Sequence, residues 1–194
     1  MTVLAFGINH KTASVDLRGR IAFAPEIVVQ TLQDARAILQ VNEIALLSTC
    51  NRTEVYLFGD VTDTQVLTWL SMIKNVEISQ LQRCYYCYRD AAAIDHMMRV
   101  ASGMDSLILG EPQIFGQVKS AYSVGREAGT VSTFLNQAFQ MAFSAAKRVR
   151  TETAIGKNPV SVAYASVGLA AQIFSDLSSA HALLIGAGET IDLV

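Results

Sequence analysis

The 194-residue chain is poor in the residues that most often betray a protein's way of life. It has three cysteines, three prolines and one tryptophan, and 16% of its residues are charged, well below the usual quarter. Cys50, Cys84 and Cys87 make no disulfide framework in a chain of this length, so a reducing compartment is expected. Fifteen Lys plus Arg against seventeen Asp plus Glu leave a net charge of -2, which argues against gripping nucleic acid by bulk electrostatics. The longest uncharged run, residues 158–175, is broken by Pro159, Ser161, Ser166 and Gln172 and reads as a soluble helix rather than a membrane span. The N-terminus reaches Gly7 and His10 without the basic segment of a secretory signal. A cytoplasmic location, with no membrane partner, is the expectation. The chain is 51% hydrophobic, enough to build a core and too much for disorder. The scarcity of charge suggests that part of the surface is normally covered by another domain or subunit.

Apolar spacing outlines the elements. Val3 to Ile8 is a short strand. Pro25 sits at a helix start, poorly capped by Ala24, and Val28, Leu32, Ala35 and Leu39 then share one helical face. Glu43 to Ser48 is a second strand, and residues 53–58 alternate as a third. Thr62 or Asp63 caps a helix carrying Val66, Leu67, Leu70 and Ile73. This β-α-β-β-α order predicts an α+β layer, a small sheet with helices on one face. From Asp90 the chain is helical. Ile94, Met97, Met98 and Ala101 share a face, and the Gly- and Pro-containing residues 102–112 interrupt the run. Helices then follow over about 113–128 and, after Ser132 as cap, over 133–155. Gly156 to Pro159 break the chain. The expected division is a first domain, 1–153, and a second segment, 154–194, with a helix over 161–178 and a buried strand over 182–185 that opens a Rossmann-like unit.

Several residues could carry chemistry. Cys50 lies in the polar turn Ser48-Thr-Cys-Asn-Arg52 after a strand, with a guanidinium two residues on. That is a plausible setting for an activated thiolate nucleophile, and equally for a half-buried cysteine that merely packs. Cys84-Tyr-Tyr-Cys87 has no second pair to complete a zinc shell, and His10, His96 and His181 are scattered, so no metal is expected. His96, beside Met97 and Met98, reads first as a core histidine. Glu111, Gln113 and Gln117 cluster at a helix start, where free N–H groups could meet a polar ligand or simply be capped. Lys147, Arg148 and Arg150 read as a solvated helix end, with RNA-backbone contact as the sharper alternative. Leu184-Ile-Gly-Ala-Gly-Glu-Thr-Ile191 begins like a dinucleotide site but lacks the third glycine, and the chain ends at Val194 before the acidic residue such sites place about 20 positions later. The expectation is the front piece of a longer protein.

Taken together, Gly7-Ile-Asn-His-Lys-Thr-Ala13, Leu47-Ser-Thr-Cys-Asn-Arg-Thr-Glu54, Arg99-Val-Ala-Ser-Gly-Met-Asp-Ser-Leu107, Leu109-Gly-Glu-Pro-Gln-Ile114, Lys147-Arg-Val-Arg-Thr-Glu-Thr153 and Gly186-Ala-Gly-Glu-Thr-Ile191 resemble the glutamyl-tRNA reductase family across essentially the whole chain. The resemblance implies reduction of glutamyl-tRNA(Glu) to glutamate-1-semialdehyde with NADPH, the first step of tetrapyrrole synthesis. It implies that Cys50 attacks the aminoacyl ester to give a thioester, which hydride then reduces. It makes His96 important for activity, by positioning or proton transfer. It places Thr49, Asn51, Arg52, Ser106, Glu111, Pro112, Gln113 and Gln117 in the substrate site, with Arg52 as partner for the glutamyl carboxylate. Gly186, Ala187, Gly188, Glu189, Thr190 and Ile191 would start the NADPH site, which is incomplete here. It further implies a homodimer through C-terminal helices and channelling to glutamate-1-semialdehyde aminomutase. On this expectation the chain forms, and at most hydrolyses, the thioester. Ser14 and Arg18-Gly19 depart from the family's usual Pro and Arg-Glu, and Cys84 and Cys87 match no family site. Two rivals remain open: an RNA-binding module and a non-reducing thiol acyltransferase or esterase.

Overall fold

The computed structural model describes residues 2–156, 162–174, 176, 177, 181 and 183. Four strands form one antiparallel sheet: β1 (Thr2–Asn9), β2 (Glu43–Ser48), β3 (Arg52–Gly59) and β4 (Tyr86–Arg89), in the order β2-β3-β1-β4. The helices are α1 (Val15–Ile21), α2 (Val28–Leu39), α3 (Asp63–Lys74), α4 (Ile78–Gln82), α5 (Ala91–Ala101), α6 (Gln113–Glu127), α7 (Thr133–Glu152) and α8 (Val162–Ile173). The α+β class is as expected. The short elements α1, α4 and β4 carry too few apolar positions to show a period in the sequence. Pro25–Ile27 is a separate 3-10 turn, with the α-helix proper starting at Val28.

The layering corrects the expectation of helices on one face. Every residue of β3 is buried, so both of its faces need cover. On one side Leu4, Phe6, Ile8, Ile44, Leu46, Val55 and Leu57 pack with Leu32, Leu39, Val66 and Leu70 of α2 and α3. On the other, Ala5, Ala45, Leu47, Tyr56 and Phe58 pack with Met97, Val118, Phe139 and Ala142 of α5, α6 and α7. The sheet is thus the middle layer of three. The alternation in β3 was real, but it separated two cores rather than a core from solvent.

Local capping explains two further boundaries. Of the two expected caps of α3, Thr62 is the one used, in a capping box with Gln65. Ser132 does not cap α7 with its side chain, contrary to expectation. Glu43, at the start of β2, caps that helix across the fold. Its carboxylate accepts the N–H groups of Ser132, Phe134 and Leu135 at 3.0, 3.0 and 2.8 Å. Burial alone would raise the Glu43 pKa. Hydrogen bonds from Ser132 and from the α7 backbone outweigh it and hold the carboxyl below its ordinary range. A carboxylate at a helix N-terminus also meets the positive end of the dipole. The helix ends at Glu152, three residues earlier than the apolar pattern suggested, and a 3-10 turn covers Ala154–Gly156. The helix expected over 161–178 is described as Val162–Ile173 and stops there, since Phe174, Asp176 and Leu177 are not helical. Of the buried strand expected over 182–185 only Leu183 is described, and it is exposed and in no strand, while Gly186 to Ile191 lie outside the described residues.

Glu43→Ala leaves three helix N–H groups without acceptors and is expected to destabilise the fold by about 2 kcal/mol in urea unfolding. Because the folded pKa lies below the unfolded one, the contribution of Glu43 is present above the ordinary carboxylate range. It fades as pH falls through the folded value, so the wild-type and Glu43→Ala stabilities should converge on acidification. Parallel stability curves at pH 7 and pH 3 would refute this account.

Candidate active site

One end of the sheet gathers several of the candidate side chains. β1 ends at Asn9, β2 at Ser48, β3 begins at Arg52 and β4 at Tyr86, and the register sets Asn9 opposite Arg52 and Gly7 opposite both Glu54 and Tyr86. Between β2 and β3 the Thr49 Oγ1 accepts from the N–H of Asn51 and of Arg52, at 3.2 and 3.1 Å, while the Thr49 N–H donates to the Arg52 carbonyl at 2.8 Å. This side-chain turn makes an exposed apex of Cys50. The His10 N–H donates to the Asn51 carbonyl at 2.9 Å, and Arg18 Nε of α1 donates to the Cys50 carbonyl at 3.3 Å. Ser14 N-caps α1, so the departing loop is a helix packed on the thiol turn.

Arg52 does not project free toward solvent. It is 1% exposed, its Nη1 donates to Glu54 Oε1 at 2.5 Å, and its Nη2 donates to the carbonyl and Oδ2 of Asp105 at 2.5 and 3.0 Å. The guanidinium charge is already matched by two carboxylates, those of Glu54 and Asp105. The cation that touches the Cys50 turn by a hydrogen bond is Arg18.

Glu54 is the hub. Besides Arg52 it accepts from Tyr56 at 2.7 Å, Tyr86 at 2.6 Å and His96 at 3.1 Å. Burial would push its pKa up. The Arg52 charge, the hydrogen bond and charge of His96, and the Tyr86 hydroxyl overcome that and hold it far below the carboxylate range. An ionised carboxylate only accepts, so His96 carries its proton on Nε2, and both tyrosines donate. Burial and the neighbouring Glu54 charge in turn raise the pKa of Tyr56 and Tyr86 and keep them protonated. Gly7 is what permits the arrangement. A methyl group there would meet Glu54 Cγ at 2.6 Å and the Tyr86 hydroxyl at 2.8 Å.

The segment between α5 and α6 closes over this cluster. Gly103 and Gly110 adopt φ of +76° and +82°, and the Gly110 N–H donates to the Gly103 carbonyl at 2.9 Å. The loop so pinched carries Asp105 to Arg52, with Lys11 Nζ on Asp105 Oδ1 at 2.5 Å and Asn9 Nδ2 on Oδ2 at 3.4 Å. Ser106 Oγ is buried without a partner among the described residues. Glu111 is buried, and Pro112 precedes α6 without a side-chain cap, leaving Gln113 in an uncapped first turn.

His96 lies in a cavity of about 450 Å³ together with Asn9, Lys11, Tyr86, Tyr88, Asp95, Arg99 and Asp105. Gln117 is not brought there. It lines a second cavity of about 180 Å³ with Ser48, Phe23 and Val28. The Cys50 turn joins Ser48, in one wall, to Arg52, whose partner Asp105 stands in the other. Cys84 is buried, its thiol donating to the Gln80 and Leu81 carbonyls, and Cys87 donates to Asp63. Among the described residues no group of three His, Cys, Asp or Glu could hold a metal ion. In the basic run, Arg148 pairs with Glu152 at 3.0 Å on an exposed face. Among the described residues no helix is long and apolar enough to cross a membrane.

Sequence reasoning passed over Glu54, Asp105, Gly7 and Arg18 as functional positions. A detectable signal was an acid inside a strand otherwise apolar on both faces, which calls for a buried cationic partner. Asp105 and Arg18 had no such signal, because their partners are far away in the chain.

What these features define is an α+β domain that presents a thiol at a sheet end, over a buried ion cluster. The chain belongs to the glutamyl-tRNA reductase family: residues 6–153 match its Glutamyl-tRNAGlu reductase, N-terminal domain. It is 59% identical over 195 residues to a glutamyl-tRNA reductase of Pseudomonas fluorescens and 56% identical over 194 residues to one of Saccharophagus degradans. In each case all of this chain is covered and 46% of the relative, so the chain spans about half the length of the curated relatives it matches. The solved glutamyl-tRNA reductase from Methanopyrus kandleri superimposes with a TM-score of 0.69 at 29% identity, over 98% of this chain and 47% of that one.

Removing one partner of the buried ion cluster leaves an uncompensated charge. Arg52→Ala and Glu54→Ala are each expected to cost about 3–5 kcal/mol, and the double variant clearly less than their sum. Chemical unfolding of the four proteins measures the cycle; simple additivity would show that the pair does not act as a unit.

Proposed function

We propose that residues 1–153 form the acyl-transfer domain of a glutamyl-tRNA reductase and that residues 154–194 begin its nucleotide-binding part. The observation that carries this reading is the exposed Cys50, held at a turn apex by Thr49 and Arg18 at the end of the sheet where Glu54 anchors His96, in a chain of this family. The Cys50 sulfur attacks the carbonyl carbon of the glutamyl ester. A carbon–sulfur bond forms, the bond to the terminal ribose oxygen breaks, and that oxygen leaves with a proton. His96, its ring fixed through Nε2, is the group placed to assist that transfer. Arg52 and Asp105 fix the loop that carries Ser106, whose hydroxyl, without a partner among the described residues, is available to the glutamyl moiety; Asn51 on the turn and Glu111 and Gln113 at the start of α6 belong to the same proposed site. A glutamyl carboxylate reaches Arg52 only if Asp105 gives way. NADPH would supply hydride for the later reduction to glutamate-1-semialdehyde. The residues proposed to begin its site, Gly186 to Ile191, are outside the described ones. A homodimer and hand-over to an aminomutase belong to the same proposal.

Charged tRNA(Glu) mixed with the chain should leave a glutamyl adduct on Cys50, seen by mass spectrometry and absent from Cys50→Ser. An adduct of equal yield in Cys50→Ser would overturn the nucleophile assignment. Thiol access gives a second check. Burial and the Asp63 charge push the Cys87 pKa up to about 12, and burial raises that of Cys84. Iodoacetamide at pH 8 should therefore modify Cys50 first, and faster labelling of Cys84 or Cys87 in the folded protein would contradict the geometry.

A further inference from the structure

The cavity beside His96 has a composition that the acyl-transfer step alone does not use. Tyr88, on β4, is 39% exposed although its ring is stacked on His96, with centroids 4.7 Å apart and planes 28° apart. Its position in the chain was singled out by nothing in the sequence beyond the Cys84–Cys87 pair that precedes it. The formal charges around the cavity largely cancel. Lys11 is taken by Asp105, which also answers Arg52, and Asp95 offsets Arg99. Arg99 is in no ion pair among the described residues, and it leaves one cation able to meet one phosphate. Such a cavity suits an uncharged, flat, hydrogen-bonding group with a single phosphate at its edge, and not a polyphosphate. Its volume of about 450 Å³ is within the range that encloses a drug-sized ligand and exceeds what a glutamyl group fills.

We propose that this cavity is the subsite for the terminal adenosine of the aminoacylated tRNA, with the base stacked on Tyr88 and the adjoining phosphate beside Arg99. The inference rests on the acyl-transfer reading above. The ester is carried by the terminal ribose, so the nucleoside must lie within one ribose-to-carbonyl span of the sulfur. Asp105 in the cavity wall accepts from Arg52, which closes the Cys50 turn, and this sets the cavity next to that turn. Stacking on an aromatic ring accepts a base without bulk positive charge, which suits a chain with a net charge of -2.

The experiment compares two acyl donors, glutamyl-tRNA and a small glutamyl thioester without a nucleoside, by the rate of Cys50 acylation in the chain. The readout is the ratio of their half-saturating concentrations. Tyr88→Ala should raise that ratio about tenfold against the tRNA, the size expected of one base–aromatic stack, and Tyr88→Phe should restore it. In the unsubstituted chain, adenosine monophosphate should compete with glutamyl-tRNA more strongly than uridine monophosphate, because a purine offers the larger stacking face. This holds even if Tyr88→Ala fails to fold. An unchanged ratio, a Tyr88→Phe variant as impaired as Tyr88→Ala, or equal competition by the two nucleotides overturns the subsite. No Cys50 adduct from either donor in the unsubstituted chain would instead overturn the acyl-transfer reading itself.

Discussion

The buried pairing of Arg52 with Glu54 is the constraint on which the rest of the site depends. A guanidinium and a carboxylate, both almost wholly removed from water, are tolerable only when their remaining donors and acceptors are satisfied. Here the fold supplies those partners from four other places: Tyr56 on the same strand, Tyr86 from β4, His96 from α5 and Asp105 from the α5–α6 loop. One ion pair therefore ties both sides of the sheet's open end and the loop above it. The same bonds that satisfy Glu54 fix the tautomer of His96 and hold it at the cavity wall. Stability and site geometry share one set of contacts.

This arrangement also separates two jobs that the primary structure had seemed to combine. Arg52 stands two residues from Cys50; proximity in sequence suggested that it activates the thiol, and the family resemblance that it receives a carboxylate. In a strand, residues two apart point to the same face, but Cys50 is not in the strand; it is on the turn. The guanidinium goes inward to Glu54 and Asp105, and the thiol stays out. Support for the turn comes instead from Arg18 and His10, which arrive from the segment after β1.

The legible parts of the fold were those with a local period. The three longer strands and the main helices could be placed because their apolar residues repeat at two or at three to four positions. Short elements such as α4 and β4 hold less than two periods, and an alternating strand looks the same whether its second face meets solvent or another helix layer. Ser132 looked like the cap of α7 because caps are usually local; the carboxylate that does the work is Glu43, distant in the chain.

What the sequence by itself determined was the family, the position of the thiol on a polar turn after a strand, and the α+β class, since these rest on contiguous words and short-range spacing. Only the tertiary structure decided which charges meet. Glu54, Asp105, Lys11 and Gly7 form one unit with Arg52 because strand register and a glycine-pinched loop bring them together. Register and loop closure are products of packing two cores at once, and no window of local sequence contains both.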